Sequence, residues 1–416
     1  STTPNIDSLA GQSLLFERCY AQSTEAFRSM ATMITSKYPA CYPTSKGRNA
    51  GLGFRDLVHT PEPTLVDFIR EAGHTTCGIV SDSSLRGAFG FANGFDYYDD
   101  KLISEPDDTF RVRTTEESYE AAESWLSRNF RRPFFMLVQF PDPMGPYDAD
   151  QRFVEQLSNS SFYSTPGTIN VSRDDNHPIN QLPAYHNVKD ETVTVGELIR
   201  QYDAEIAETD NFIGKILNTL NRLDIADKTM IVISSLHGEA LGEHGHYFDH
   251  GENVYHCLSH IPLIIYNPKG RSARIKDVVE GIDIMPTILS YLGVNPESDL
   301  SGSNLMRFFT TSKPELNYPA FCYWDNPKMY SVIKGDYELL FMENQEYRLY
   351  HIINDPEEIH NLYSEDDPFA QELKSLLDTW LEENHQRALN NDFKRSYGPS
   401  GSKKPLSVPP KDSTIR

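Results

Sequence analysis

The stretch Met230–His260, MIVISSLHGEALGEHGHYFDHGENVYHCLSH, joins an apolar run to a loop crowded with titratable side chains. Met230 to Ile233 reads as a buried strand. Behind it come His237, His244, His246, His250, His256 and His260, six of the thirteen histidines in the chain. A buried strand that empties into such a loop is the arrangement found where open α/β sheets bind ligands. Working outward, TCGIVSD (76–82), PFFMLVQF (133–140), TMIVISS (229–235) and IPLIIYN (261–267) are further strand-like runs. Helical patterns lie between them: one starts at Thr64 and stops at Gly73, and another repeats apolar residues from Tyr202 to Leu220. The alternation predicts an α/β fold with a central, mostly parallel sheet.

The 416 residues can bury a large core, and two parts are expected at this length. After about Ser298 the pattern changes to short Tyr- and Phe-rich segments, YSVIKGDYELLFM (330–342) and EYRLYHI (346–352), which predict an antiparallel meander followed by a helix near 368–383. The expected division is 1–298 for the α/β domain, 299–390 for a smaller C-terminal α+β subdomain, and 391–416 for an extended or disordered tail. Lys plus Arg of 38 against Asp plus Glu of 60 gives a net charge of −22, which argues against nucleic acid and anionic membranes as partners. No apolar run approaches the roughly 20 residues of a membrane helix. The five cysteines form no CxxC pair, so neither a zinc cage nor a disulfide framework is indicated. With no signal-peptide pattern visible either, a cytoplasmic compartment is the expectation.

Several segments follow one another in a fixed order: TTPNIDSLAGQSLLFERCYAQ (2–22), TSKYP (35–39), FGFANGFDYYDD (89–100), RPFFMLVQFPDPMGPY (132–147), YDAEIAETDNFIGKIL (202–217), SSLHGEALGEHG (234–245), DIMPTILSYLG (283–293) and LYHIINDPEEIHNL (349–362). Together they resemble the sulfatases of the alkaline phosphatase superfamily. The resemblance implies an alkaline-phosphatase-like α/β sandwich with a smaller C-terminal domain carrying an antiparallel sheet. It also implies hydrolysis of sulfuric or phosphoric esters by a nucleophile held against a divalent cation, Ca, Mg, Mn or Zn. Carboxylates suit such a hard cation, and cationic or imidazole groups neutralise the oxyanion.

Matched residue by residue, the family pattern meets substitutions. Anchoring on Thr35–Pro39, Ser29 and Ala31 places Ala26 where the family has its nucleophile. Met144 stands in the Asp-Pro-His pattern, where a thioether can neither shuttle a proton nor donate to an oxyanion. Leu236 stands where an aspartate ligates the cation. The paired aspartates of the family's first strand would precede Thr2, and a parallel sheet lacking that strand would leave ladder groups unpaired. Upstream residues or a neighbouring segment are therefore expected to fill the gap.

Two functions follow. In the first, the chain is a sulfatase-like pseudoenzyme that acts by binding a sulfated or phosphorylated ester or glycan, or as a structural partner, with a protein partner or a homo-oligomer as the assembly and no cofactor. In the second, it is a metal-dependent ester hydrolase with a remodelled site. There Thr24, Arg28, His237 and His250 are catalytic, Arg28 and His250 face substrate, and His237, His246 and Asp249 hold the metal. His246, Asp249 and His250 form a further two-imidazole, one-carboxylate set suited to a transition metal. The Asn-, Ser- and Pro-rich stretch near 159–187 reads either as a surface excursion or as a segment overlooking the site.

Overall fold

The computed structural model describes residues 1–39, 63–101, 103–104, 110–111, 113–158, 160–164, 167–172, 179–186, 188–296, 300–311, 318–325 and 327–397. Helix α1 (Pro4–Ala10) is followed by β1 (Leu14–Tyr20), α2 (Ala26–Thr35), α3 (Leu65–Glu71), β2 (Thr75–Ile79), β3 (Tyr97–Asp99), α4 (Thr115–Asn129), β4 (Phe134–Val138) and the long α5 (Val195–Arg222). Then come β5 (Ile231–Ser234), β6 (His260–Tyr266), β7 (Ala273–Ile275), β8 (Val279–Glu280) and α6 (Ile284–Tyr291).

Local chemistry sets the helix starts. Buried Asp210 on α5 accepts the backbone N–H of Asn5 (3.1 Å), that of Ile6 (2.8 Å) and the Asn5 side-chain amide (2.7 Å), so it serves the first-turn donors of α1 that have no intrahelical acceptor. At the expected start of α3, Thr64 and Asp67 form a reciprocal capping box. Replacing Thr64 with Ala is expected to lower the free energy of unfolding by about 1 kcal/mol. An unchanged urea midpoint in that variant would show that packing of Leu65, Phe68 and Ile69, all buried, already fixes the helix end.

The strands form three layers with the helices. β2 pairs in parallel with β3 and with β4. Phe135 and Leu137 of β4 turn toward α2, α3 and α6, while Phe134, Met136 and Val138 turn toward α4 and α5, as the two-residue period of a strand requires. In the second sheet the order is β5-β6-β1-β7, with β8 beside β1. The central strands are thus mostly parallel, as expected, with one exception: β6 runs antiparallel to both β5 and β1, while β7 and β8 are parallel to β1. The cause is the connection: residues 235–259 return the chain to the same sheet without a crossover helix, which antiparallel neighbours permit and parallel ones do not.

The C-terminal meander is present as β9 (Ala320–Asp325), β10 (Lys328–Lys334), β11 (Tyr337–Met342) and β12 (Tyr347–His351), each antiparallel to the next. Helix α7 (Pro368–Tyr397) packs on it through Leu373, Leu377 and Trp380, whose ring stacks on Phe321 at 4.8 Å. The helix runs past residue 391, where an extended segment is expected from composition, because no Gly or Pro interrupts residues 369–397. Residues 398–416 lie outside the described residues, as does the boundary expected at 298.

β4 and β5 are terminal strands in their sheets. Between them lies a slot of about 1160 Å³, walled by residues 133–144 and 229–239 and covered by α5 on one face and by α2, α3 and α6 on the other. The side chains of Phe134–Val138 and Ile231–Ser234 are in consequence only half-buried.

Candidate functional site

The slot opens at the ends of β2, β4 and β5, and Ala26, Asp82, Met144, Leu236, His237 and Glu239 all line it. Ala26 is the first residue of α2, directly after Glu25. Arg28, one turn along, holds Glu25 through its Nε at 3.0 Å, and its guanidinium lies 5.9 Å from the centre of the Tyr323 ring. Burial raises the Glu25 carboxyl above its ordinary range, and Arg28 opposes that shift.

His237 and His250 stack with ring centres 4.3 Å apart. His237 Nδ1 donates to the carbonyl of Gly238 at 2.8 Å, which leaves Nε2 as the acceptor. Burial, with the neighbouring His250 charge, pushes its pKa down to about 3. His250 behaves in the opposite way. Burial disfavours its charged form, but Glu239 Oε2 at 3.0 Å from Nδ1, with Asp249 and Asp82 behind it, raises its pKa. One ring of the stack is thus held neutral and the other is favoured as a cation. Two titratable neighbours driven apart in this way are the usual mark of a functional cluster.

The remaining expected residues sit elsewhere. Thr24 is fully buried, and its hydroxyl donates to the carbonyl of Asn253 at 2.7 Å. The Met144 side chain reaches the slot while its backbone N–H donates to Glu205 at 3.2 Å, a carboxyl that burial and the nearby Asp142 charge raise to about 10. Leu236 packs against the apolar clusters around β1 and around α2. Asp249 is buried and accepts from the Tyr185 hydroxyl at 3.0 Å and from the N–H of His250 at 2.9 Å. His246 follows a short turn, Glu243–Gly245. Of the expected set, then, His237 lines the slot, His250 stacks on it and pairs with slot-lining Glu239, and Arg28 pairs with Glu25 next to Ala26; Thr24, Arg28, His246, Asp249 and His250 are not themselves among the lining residues. Among the described residues, no three His, Cys, Asp or Glu side chains converge on one point as a divalent cation requires, so these residues do not fit the cation that the resemblance implies.

Sequence reasoning did not single out Glu25, Asp82 or Glu239 as site residues. Asp82 stands three residues past β2, on the ligand-binding side of the sheet, which was a usable signal. Among the described residues of the 159–187 stretch, Tyr185 and His186 pack against the loop and both bond the carbonyl of Phe248, at 3.0 and 2.7 Å. The far half of the histidine loop is held by the C-terminal sheet. His256 Nδ1 lies 3.6 Å from Glu338, its N–H donates to Glu358 at 2.9 Å, and Arg348 donates to the Tyr255 hydroxyl at 3.0 Å.

This architecture recurs in solved structures. One, solved with its substrate D-glucosamine-2-N,6-O-disulfate, aligns over 94% of each chain with a TM-score of 0.71 at 20% identity. The phosphonate monoester hydrolase of Agrobacterium radiobacter aligns over 92% of this chain and 91% of its own with a TM-score of 0.70 at 18% identity. Among curated proteins, arylsulfatase K of Xenopus laevis is 23% identical over 90% of this chain and 77% of its own length. The N-sulphoglucosamine sulphohydrolase C-terminal profile matches residues 242–387. The Sulfatase profile matches residues 1–294, and on that match across most of the α/β layers and the histidine loop, the chain belongs to the sulfatase family of hydrolases.

Proposed function

We propose that the chain binds a sulfated or phosphorylated glycan ester at the N-terminal end of α2 and has lost the family's hydrolytic mechanism. The observation that carries this reading is Ala26 at the head of α2 on the slot wall, with the neighbouring Thr24 hydroxyl buried and engaged by Asn253. An alanine offers no nucleophile, and a buried, hydrogen-bonded hydroxyl has neither an approach path nor a neighbouring base. Leu236 and Met144 extend the same pattern at the metal-ligand and proton-donor positions that the family resemblance assigns. Arg28 and the His250 cation remain as groups able to meet an anionic ester.

A second reading rests on the His237–His250 stack, whose opposed pKa shifts suit an acid and a base in an ester hydrolase with a remodelled site. One set of measurements separates the two. Aryl sulfate, phosphate monoester and phosphate diester are each assayed with and without Ca²⁺, Mg²⁺, Mn²⁺ or Zn²⁺, beside a His237→Ala control. D-glucosamine-2-N,6-O-disulfate binding is followed by calorimetry. The binding reading expects no turnover above the control and an affinity that falls about tenfold, or ~1.4 kcal/mol, in Arg28→Ala. Metal-dependent turnover that is lost in Thr24→Ala and kept in Ser23→Ala would overturn it in favour of the hydrolase.

A further inference from the structure

The mouth of the slot is more acidic than the binding of an anion requires. Four carboxylates bear on the His250 ring there, Glu25, Asp82, Glu239 and Asp249. Arg28 and His250 are the cations of the cluster, and each is already matched: Arg28 Nε lies 3.0 Å from Glu25, and His250 Nδ1 lies 3.0 Å from Glu239. Asp249 is engaged by the Tyr185 hydroxyl and the N–H of His250. Asp82 differs from the other three. It lines the slot beside Ala26 and His237, is half-buried, and forms no ion pair among the described residues. One oxygen, Oδ1, accepts the N–H of Ser84 at 2.7 Å, and Oδ2 accepts from none of the described residues. The backbone beneath it is pinned, because Gln139 Oε1 accepts the N–H groups of Ser81 and Asp82 at 2.7 and 2.9 Å and so ties the end of β2 to the end of β4. A purely anionic ester gains little in such a place: the positive charge that would attract it is neutralised, and the free charge has the ester's own sign.

Building on the reading of the mouth as an ester-binding site, we infer that the ligand is an amino-sugar ester carrying its own cation, its sulfate or phosphate held by Arg28 and its free ammonium by Asp82. Arg28 can serve the ester without leaving Glu25, since only Nε is engaged there and its two terminal nitrogens donate to no acceptor among the described residues. Glu25 makes no side-chain bond to the first turn of α2, so the N–H groups of that turn stay open to the same anion. An ammonium at Asp82 cancels the free negative charge and gains a charge-assisted hydrogen bond to a carboxylate that Ser84 and Gln139 already hold in place. A neutral N-acetyl group at the same nitrogen offers neither.

Calorimetry with two sugars that share one ester and differ only at nitrogen tests this: glucosamine 6-sulfate, whose amine is free, and N-acetylglucosamine 6-sulfate, whose amide is neutral. At about pH 6.5, where such an amine is protonated, the wild-type chain is expected to bind the free amine about 30-fold more tightly, the size of a hydrogen bond to a charged group. Asp82→Asn keeps an oxygen for the Ser84 N–H and removes the charge. It is expected to cut the preference below about threefold by weakening the amine alone, whereas Arg28→Ala weakens both sugars alike. Equal binding of the two sugars by the wild-type chain overturns the ammonium assignment while ester binding stands, and that comparison needs no variant. A preference that survives in Asp82→Asn overturns the role of Asp82. Binding of neither sugar overturns the ester-binding reading and the ammonium assignment together.

Discussion

Gly238→Ala is expected to lower the free energy of unfolding by about 3 kcal/mol, the upper end of ordinary overpacking costs. A Cβ at this position would stand 2.0 Å from the carbonyl oxygen of Cys257 and 3.0 Å from its carbon. Neither side can yield cheaply. The Gly238 N–H is bonded to the Leu258 carbonyl at 2.7 Å, and Leu258 is fully buried, so the two loop segments are locked at backbone distance. Gly73 provides the control: its φ of +88° strains an alanine, but nothing lies within 4 Å of the added Cβ. Gly73→Ala is therefore expected to cost only about 1 kcal/mol. Urea unfolding of the two variants checks the ranking, and equal losses would show that the contact at Gly238 relaxes freely. Because Gly238 follows His237 directly, the same variant is expected to disturb the His237–His250 stack, visible as a change in the imidazole NMR signals.

Stability is expected to fall by about 4–5 kcal/mol between pH 6.5 and pH 8, at ~1.4 kcal/mol per pH unit for each extra proton held by the folded state. Burial raises the carboxyls of Glu358 to about 7, Glu338 to about 8 and, with Asp142 nearby, Glu205 to about 10. A raised carboxyl binds its proton more tightly in the folded chain, so its contribution is lost as pH climbs toward the raised value. His250 carries the same sign: its contribution is complete below the ordinary histidine value of 6.5 and disappears as pH passes its raised value. Burial lowers His237, His256, His260 and His186, which makes these rings cost stability only as pH falls below 6.5. Above 6.5 nothing in that group opposes the carboxyls. Glu338→Gln should remove about one proton from the slope and stabilise the protein at pH 8, since a wholly buried carboxylate 3.6 Å from a neutral-leaning His256 is poorly compensated. A chain more stable at pH 8 than at pH 6.5 would contradict the assignment of these groups.

The sequence was most informative where local chemistry and structure share one cause. Thr64 and Gly73 bracket a real helix because a side-chain cap and a left-handed glycine are properties of a few adjacent residues. The direction of β6 was not legible, because an apolar run reads the same parallel or antiparallel and the answer lay in how the 235–259 loop returns. The site was legible in part. His237 and His250 carried their own signal, but Glu25, Glu239 and Asp82 become partners only once α2, the histidine loop and the end of β2 meet. Their role depends on distance in space, which separation along the chain does not encode.

The pairing of β1 with β6 has a consequence for synthesis. Leu14 lies against Ile265, so β1 must wait for a partner strand made about 250 residues later. Until then Leu14, Phe16 and Cys19, all fully buried in the finished sheet, have no partner strand to cover them. Assembly of this sheet cannot proceed strand by strand as the chain is made, and the nascent chain carries an apolar edge until β6 is synthesised, a period in which aggregation competes with folding and a chaperone has most to protect.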